Sequence, residues 1–462
     1  MRALLGIAVL LVASALQARD GDFDPGFLTQ GRQRVVLPNG HSTGISGVVL
    51  AQPDGKLVLA TSDDMGIGVQ PDFEVLRLNA DGSPDTTFGQ NGFQTIAFDR
   101  GGDLSDTVTA IALQSDGKIL VVGTSNGDPN TTGADWAVTR LTADGQPDNT
   151  FGTWGKAIVA FNLAGGTGQD RCFSVAVQPD GKILLAGSAQ IGSAVRMAVA
   201  RLETDGSPDF NFGLGGRITV SFGVQDLGSQ AQRVRVLPDG RIVLAGLAYA
   251  SVSNSIDWAL ARLNADGSLD NGFGSVGRVL HGFDLGGDKQ DVAYDAVAVA
   301  DGSMVVVGSA RAGTPYDDDI AVARFLPNGS LDTAFGVAGH RVVTLNAGGD
   351  NQEVAAAVAQ DPLGRIVIAG SSSIASSNHD IVVLRFTATG QPDATFGAGG
   401  QRFAALSIPP APDYDDIGMS LALTPDGGIA VAGPSATTTN GIYALGVVKL
   451  IGDTIFADGF GN

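Results

Sequence analysis

Short apolar runs separated by turn-forming residues fill most of the 462-residue chain. In one representative stretch this pattern predicts four short strands, at residues 93–98, 107–114, 118–123 and 136–141. Asp116 and Gly117 separate the second strand from the third, and this dipeptide favours a tight antiparallel hairpin because the turn needs positive φ angles. No segment shows the longer amphipathic period of a helix. The pattern therefore predicts antiparallel sheets.

The same pattern recurs seven times at spacings of 61 to 63 residues. Each copy has a turn before an apolar run, an apolar run that ends in a base, and an Asp-x-x-Phe block. The blocks begin at Asp24, Asp85, Asp148, Asp209, Asp270, Asp332 and Asp393. Seven copies of four antiparallel strands predict an all-β fold, a seven-bladed β-propeller of four-stranded antiparallel blades.

The order of the blocks predicts how the ring closes. No Asp-x-x-Phe block follows the last base, Lys449, whereas one copy stands near the N-terminus at Asp24. We therefore expect the N-terminal segment to complete the seventh blade, because an open solenoid would need a polar cap at each end. The predicted domains are a signal peptide at 1–18, a single propeller at 19–452 and a C-terminal tail at 453–462.

The first residues have the pattern of an export signal, with Arg2 before an apolar run at 3–16. This run is shorter than the roughly 20 apolar residues of a membrane span. We expect a secreted, periplasmic or cell-surface protein of a bacterium, without a membrane span and monomeric. The 28 Lys and Arg against 48 Asp and Glu give a net charge of −20, which argues against nucleic acid as a partner.

Two stretches, residues 78–89 and 175–183, resemble the signature of bacterial delta-60 repeats. The resemblance covers nearly the whole mature chain, and Leu363 and Thr389 depart from its pattern at two turns. It implies an exported β-propeller domain of unknown function. It implies no activity, catalytic residue or cofactor.

The seven bases share strand faces with bulky apolar residues, and a buried charge without a partner is costly. The Asp that begins the next block is the natural partner, and Asp24 would serve Lys449 from the other end of the chain. The predicted structural pairs are Arg77 with Asp85, Arg140 with Asp148, Arg201 with Asp209, Arg262 with Asp270, Arg324 with Asp332, Arg385 with Asp393, and Lys449 with Asp24. A ligand-binding role for the bases is the alternative.

A second repeated set of carboxylates comprises Asp106, Asp170, Asp291, Glu353 and Asp416. Repeated positions form rings around a propeller axis, so this set is a candidate acidic ring for Ca²⁺. The alternative is that each carboxylate accepts backbone hydrogen bonds in its own loop. Two blade-specific acidic loops, which contain Asp317, Asp318 and Asp415, are further candidates for Ca²⁺ or a basic partner, or are solvated loops.

Catalytic signals are weak. The four histidines lack metal-binding spacing, and the G-x-S-x-G match at 123–127 precedes a loop instead of a helix. Cys172 matches a position that is small and apolar in other copies. We predict no catalytic and no cofactor-binding residues, with Ca²⁺ as the one candidate cofactor. The expected function is a non-enzymatic scaffold that binds a protein, glycan or cell-surface component. The alternative is a Ca²⁺-assisted hydrolase or lyase with an acidic site at the channel mouth.

Overall fold

The computed structural model describes residues 19–35, 37, 42–44, 46–64, 71–100, 105–127, 133–161, 168–223, 228–249, 255–283, 285–286, 289–313, 317–345, 347–349, 351–375, 378–407, 414–437 and 443–452. The predicted signal peptide and C-terminal tail lie outside this range. Every regular element in the described residues is a β-strand. Nowhere in this part of the chain is there a helix with the length and hydrophobicity of a membrane span.

Two strands precede the first complete blade, β1 (Arg32–Val35) and β2 (Ser42–Thr43). Blade 1 contains β3 (Val48–Ala51), β4 (Leu57–Asp64), β5 (Phe73–Leu78) and β6 (Phe93–Ile96). Blade 2 contains β7 (Asp106–Leu113), β8 (Ile119–Asn126), β9 (Ala134–Leu141) and β10 (Lys156–Val159). Blade 3 contains β11 (Arg171–Val177), β12 (Ile183–Ile191), β13 (Ala194–Leu202) and β14 (Arg217–Val220).

Blade 4 contains β15 (Ser229–Val236), β16 (Ile242–Tyr249), β17 (Ile256–Leu263) and β18 (Arg278–His281). Blade 5 contains β19 (Val292–Ala298), β20 (Met304–Arg311), β21 (Asp318–Phe325) and β22 (His340–Val343). Blade 6 contains β23 (Glu353–Gln360), β24 (Ile366–Ala375), β25 (Asn378–Phe386) and β26 (Gln401–Ala404). The last three strands are β27 (Ser420–Leu423), β28 (Ile429–Ala436) and β29 (Tyr443–Leu450).

The strands form seven antiparallel blades, and the sequence prediction of a seven-bladed propeller is confirmed. In blades 1 to 6 the chain runs from the inner strand, at the central channel, to the outer strand. The first strand of each blade contacts the first strand of the next, and β27 contacts β3, so the inner strands form a closed ring.

The N-terminal segment closes the ring as predicted. Strand β1 pairs antiparallel with β29, from Arg32 opposite Val448 to Val35 opposite Leu445, and is the outer strand of blade 7. Strand β2 bridges β29 and β4, which links blade 7 to blade 1. The two ends of the chain therefore share one sheet.

The repeat seen in the sequence and the blade seen in the structure begin at different strands. The predicted strand at 93–98 was grouped with the three strands after it, whereas β6 pairs with β5 in the preceding blade. Each repeat thus begins with the outer strand of one blade and continues with three strands of the next. The long connection before β6 allows this pairing, and the sequence pattern alone does not encode it.

The core lies between the blades. Strand β9 is buried along its whole length, and Trp136 within it has no exposed surface. Both faces of a blade are covered by neighbouring blades, so the third strands are apolar on both faces. Each fully buried Val, Leu or Ile side chain contributes about 1.5–3 kcal/mol. Cys172 is packed in the core between blades 2 and 3, and burial raises its pKa to about 12.

Five inner strands, β7, β11, β15, β19 and β23, contain a β-bulge opposite a glycine of the second strand. In blade 4, Gly246 faces the bulge, and a Cβ there would lie 2.0 Å from the carbonyl oxygen of Gln230. Bulges redirect side chains. The bulged residues, Thr109, Phe173, Gln232, Tyr294 and Ala356, all line the central channel.

Candidate functional site

The two ends of the ring differ in their connections. One end, which we call the turn end, carries the hairpin between the first and second strands and the long connection before the outer strand. In blade 2 these are residues 114–118 and 142–155. The opposite end, the loop end, carries the connections between the second and third strands and between blades.

The repeated base and acid lie side by side at the turn end. The distance from Arg Nε to Asp Oδ2 is 2.7 Å in five pairs, Arg77–Asp85, Arg140–Asp148, Arg201–Asp209, Arg262–Asp270 and Arg385–Asp393. Two pairs differ. Arg324 Nε is 3.4 Å from Asp332 and its Nη2 is 2.6 Å from Asp301. Lys449 Nζ lies 3.0 Å from Asp24, across the seam of the ring.

Each pair of the common type also joins two blades. Arg77 Nη1 donates a 2.6 Å hydrogen bond to the carbonyl oxygen of Ala143 in the next blade. The guanidinium of Arg201 lies 4.5 Å from the ring centroid of Phe212. In Arg77 and Arg201, Nε thus binds the acid of the same repeat and Nη1 binds a carbonyl oxygen of the next blade. This geometry is that of a structural link between blades.

The acids of these pairs are held in their charged form. Burial alone would raise the pKa of Asp209, but hydrogen bonds from Lys182, the Asn211 N–H and Arg201 lower it to about 2. Similar bonds, again acting against burial, hold the pKa values of Asp85 and Asp148 well below the usual range.

The second repeated set of carboxylates lies buried between blades at the loop end. One carboxylate oxygen of each acid accepts a hydrogen bond from a backbone N–H at the end of the preceding blade. The bond from Phe98 to Asp106 is 2.7 Å long, and the bond from Phe161 to Asp170 is 2.9 Å long. The corresponding donors are Phe283 for Asp291 at 2.7 Å and Leu406 for Asp416 at 2.6 Å. Among the described residues, no three His, Cys, Asp or Glu side chains are grouped to hold a metal ion. These four carboxylates thus accept backbone hydrogen bonds at the blade junctions, as in the alternative interpretation, and Ca²⁺ binding by the set stays a prediction.

Glu353, the fifth member of that set, faces a second carboxyl group that the sequence analysis did not single out. Burial and then the charge of Asp319 raise the pKa of Glu353 to about 7. Burial also raises the pKa of Asp319. The proximity of the two carboxyl groups and their burial favour the protonated form of Glu353, so the pair binds a proton as the pH falls through about 7. The sequence does contain a pattern that could have identified Asp319. An aspartate also stands directly before the first bulky apolar residue of the third strand in four other copies, at Asp72, Asp135, Asp257 and Asp380.

The acidic loop residues have local partners. Asp318 binds Arg311 through both oxygens, at 2.8 and 3.0 Å. Asp415 accepts a 2.9 Å hydrogen bond from the backbone N–H of His379. The backbone oxygen of Asp317 accepts a 2.8 Å hydrogen bond from Ala312. Nothing among the described residues gathers these carboxylates into one site.

The described lining of the central channel carries few charged side chains. Its charged residues are Arg233, Arg235 and Asp295, a cluster with one net positive charge. Asp295 Oδ1 lies 2.7 Å from Arg233 Nε and 2.8 Å from Arg235 Nη2. Sequence reasoning missed this cluster because the three residues do not recur in other copies.

Exposed apolar side chains recur in the turn before the outer strand of four consecutive blades. They are Trp154 in blade 2, Leu214 in blade 3, Val276 in blade 4 and Val337 in blade 5, with exposed fractions from 56% for Val276 to 86% for Leu214. Phe210, 78% exposed, lies in the same connection of blade 3. We call these five residues the apolar row. It lies at the turn end.

Two residues of the apolar row adopt a backbone conformation that favours glycine. Trp154 has a φ of 55° and Val276 a φ of 52°. The same position is Asn91, Gly215 and Gly399 in three other repeats. The left-handed region costs roughly 1–2 kcal/mol for an ordinary L-residue. The fold alone would therefore favour glycine or asparagine here.

Comparison with known proteins supports the fold. Six segments match the family described as "Domain of unknown function (DUF5122) beta-propeller", at residues 52–88, 114–151, 178–212, 237–273, 300–335 and 364–396. No curated protein matches. The polysaccharide lyase Uly1 has a similar structure, with a TM-score of 0.51 and 10% identity over 90% of this chain and 91% of that chain.

Two further similar structures have lower scores. The Drosophila Semaphorin 1b extracellular domains have a TM-score of 0.43 and 10% identity over 91% of this chain and 88% of that chain. The α-L-arabinofuranosidase Arb93A from Fusarium graminearum has a TM-score of 0.43 and 10% identity over 91% of this chain and 97% of that chain. Together, the family matches and the fold support a β-propeller repeat family of unknown function.

Proposed function

We propose that this protein is an exported, non-enzymatic β-propeller that binds a protein partner through the apolar row at its turn end. The observation that carries the proposal is the exposure of Trp154, Leu214, Val276 and Val337 in four consecutive blades. Large apolar side chains exposed on one end of a protein are frequent at interaction surfaces, and aromatic anchors such as Trp contribute much of the binding energy of protein interfaces.

The backbone conformation supports the same proposal. Trp154 and Val276 occupy left-handed positions at a cost to stability, and their side chains gain little packing within the ring. Local strain concentrates at functional sites. Contact with a partner would give these side chains the burial that the isolated propeller does not provide.

The partner classes expected from the sequence were a protein, a glycan or a cell-surface component. The row offers Trp154, Phe210, Leu214, Val276 and Val337, and apolar side chains dominate it. A glycan would need hydrogen-bonding side chains beside its aromatic contacts. The row therefore favours a protein surface with complementary apolar residues.

The proposal is tested with a row variant that carries Trp154→Gly, Leu214→Ser, Val276→Gly and Val337→Ser. The control is Tyr249→Ser, because Tyr249 is 41% exposed and lies at the end of β16 at the loop end. Immobilised wild type, row variant and control are incubated with envelope extract and culture medium of the source cells, and bound proteins are quantified by mass spectrometry.

We expect one protein to be retained by the wild type and the control and lost from the row variant. Its purified form should bind the row variant at least roughly tenfold more weakly. Equal retention by the row variant would contradict the proposal. Sedimentation velocity of the wild type checks the expected monomer.

The alternative of a Ca²⁺-assisted hydrolase or lyase receives no specific support. The similarity to the polysaccharide lyase Uly1, at 10% identity, extends to the fold alone. The described channel lining offers Arg233, Arg235 and Asp295 as its charged groups.

A further inference from the structure

The central channel contains a guanidinium group with unused hydrogen-bond donors. Arg233 extends from β15, and its Nε lies 2.7 Å from Asp295 Oδ1. Within the described residues, Nη1 and Nη2 of Arg233 have no hydrogen-bond partner. The side chain is 21% exposed, and this exposed part faces the channel.

The acid beside Arg233 is already fully engaged. Asp295 Oδ1 lies 2.8 Å from Arg235 Nη2 and accepts a 2.7 Å hydrogen bond from the Ala296 N–H. Its Oδ2 accepts a 3.0 Å hydrogen bond from the Val358 N–H in the next blade. Arg235 is fixed in turn by a 2.6 Å bond from its Nε to the Ala296 carbonyl oxygen. Asp295 and Arg235 thus neutralise each other, and the charge of Arg233 remains.

The channel on the loop-end side of Arg233 is mostly apolar. The bulged residues Phe173 and Tyr294 line it together with Val48 and Met419, and this part has a volume of ≈ 490 Å³. The part toward the turn end also reaches Arg233 and has a volume of ≈ 330 Å³. Apolar cavities of this size with a few convergent polar groups are typical of small-molecule sites.

We propose that the channel binds a small organic anion, with its carboxylate on the Nη groups of Arg233 and its apolar body against Phe173, Tyr294 and Met419. This site is separate from the apolar row and does not depend on the proposed scaffold function. A carboxylate can accept two parallel N–H bonds from a guanidinium. With a net charge of −20 the protein does not attract anions from a distance, so affinity must come from contacts inside the channel.

The test uses 2-naphthoate as the probe, because it joins one carboxylate to a flat apolar body. Isothermal titration calorimetry compares the wild type with Arg233→Met, which removes the charge and leaves Asp295 paired with Arg235. Arg233→Lys keeps the charge without the paired donors, and Met419→Trp fills the apolar half. The neutral analogue 2-naphthalenemethanol reports the contribution of the carboxylate.

We expect the wild type to bind naphthoate, and Arg233→Met and the neutral analogue each to weaken binding roughly tenfold or more. Arg233→Lys should bind with intermediate affinity, and Met419→Trp should abolish binding while the charge remains. Circular dichroism and thermal unfolding show that each variant is folded. If Arg233→Met does not fold, the naphthoate affinity of Met419→Trp decides whether the channel is the binding site.

Three results would overturn the channel site: no naphthoate binding by the wild type, unchanged binding by folded Arg233→Met, or unchanged binding by Met419→Trp. The row variant should bind naphthoate like the wild type. If the apolar row binds no partner, the naphthoate result still stands. If the channel binds no naphthoate, the test of the apolar row is likewise unaffected.

Discussion

At the residue scale, one buried acid can organise several contacts across a blade junction. Asp209 accepts hydrogen bonds from Arg201 at 2.7 Å and from Lys182 at 2.8 Å, and Arg201 also donates to the Ala265 carbonyl in the next blade. Asp209 has no exposed surface. Removing its charge would leave the buried Arg201 without its carboxylate partner and Lys182 with Glu203 alone.

We therefore expect Asp209→Asn to lower the free energy of unfolding by about 3–5 kcal/mol, the usual cost of breaking a buried ion pair. Urea unfolding at pH 7 measures this loss. The matched control is Glu203→Gln, since Glu203 binds the same Lys182 at 2.9 Å but its side chain is 37% exposed. An exposed pair contributes about 0–1 kcal/mol. Equal losses in both variants would contradict a special role for the buried acid.

The carboxyl pair of Glu353 and Asp319 predicts a dependence of stability on pH. Burial and the nearby Asp319 raise the pKa of Glu353 from 4.5 to about 7. The folded state therefore binds a proton that the unfolded state releases above pH 4.5. This contribution to stability is complete below about pH 4.5 and is lost as pH rises to about 7.

Glu353→Gln should flatten the fall in stability between about pH 4.5 and 7, by at most about 1.4 kcal/mol per pH unit. Urea unfolding of wild type and variant across this range measures the difference in slope. A slope unchanged by Glu353→Gln would show that the proton resides elsewhere.

At the element scale, the bulged inner strands depend on the glycines opposite them. A Cβ at Gly246 would lie 2.0 Å from the Gln230 carbonyl oxygen, within the same sheet. Blade 1 has Thr61 at this position, one residue beyond the last pair of β3 and β4, Val48 with Ala60. In the bulged blades, the close carbonyl oxygen of the inner strand accounts for the glycine.

We expect Gly246→Ala to destabilise the protein by about 1–3 kcal/mol, because the new methyl group overpacks the bulge. Thr61→Ala at the equivalent position of blade 1 introduces no such clash. Denaturant unfolding of the two variants gives the comparison. A Gly246→Ala variant as stable as the wild type would mean that the inner strand can straighten without loss.

The turns of the apolar row allow a second comparison between blades. Val276→Gly should raise the free energy of unfolding by roughly 0.5–1 kcal/mol, since the relief of left-handed strain exceeds the added entropy of the unfolded chain. Gly215→Val, the reverse change in blade 3, should lower it, because φ there is 62° and no atom crowds the new Cβ. Guanidinium unfolding measures the change in the free energy of unfolding for both variants. If both changes had the same sign, the argument from left-handed strain would be wrong.

The features of the site that recur in every repeat could be predicted from the sequence, whereas the features found in single blades could not. Arg77 and Asp85 recur eight residues apart in six copies, so their partnership was visible without coordinates. Arg233 and Asp295 occupy the same position of adjacent repeats, but neither residue type recurs there in the other copies, and the ring brings the two side chains within 2.7 Å. The apolar row recurs in the same connection of four blades but at different positions and with different residue types, and its exposure became apparent only in the fold.

At the scale of the whole molecule, the seam has the same local structure as an ordinary connection. In blade 2, Gly145 donates to the Thr142 carbonyl and Thr142 donates to the Gln146 carbonyl. At the seam, Gly21 donates to the Ile451 carbonyl at 2.7 Å and Ile451 donates to the Asp22 carbonyl at 2.8 Å. The two chain ends thus build one turn of the repeat.

This equivalence predicts that Gly452 can be joined directly to Asp20. A permuted chain of residues 42–452 followed by 20–37 makes blade 7 continuous, with β1 directly after β29. We expect it to show the circular dichroism of the wild type and to unfold cooperatively. Its free energy of unfolding should be lower, because no covalent link then joins blade 7 to blade 1.

The matched control is a chain of residues 42–452, which lacks β1. It leaves β29 as an unpaired edge and exposes part of the core cluster that contains Val35 and Leu445. We expect it to aggregate or to unfold at much lower urea concentration than the permuted chain. If the permuted chain were no more stable than this truncated one, the role of β1 as the outer strand of blade 7 would be wrong. If it were as stable as the wild type, packing between blades 7 and 1 would close the ring without the covalent link.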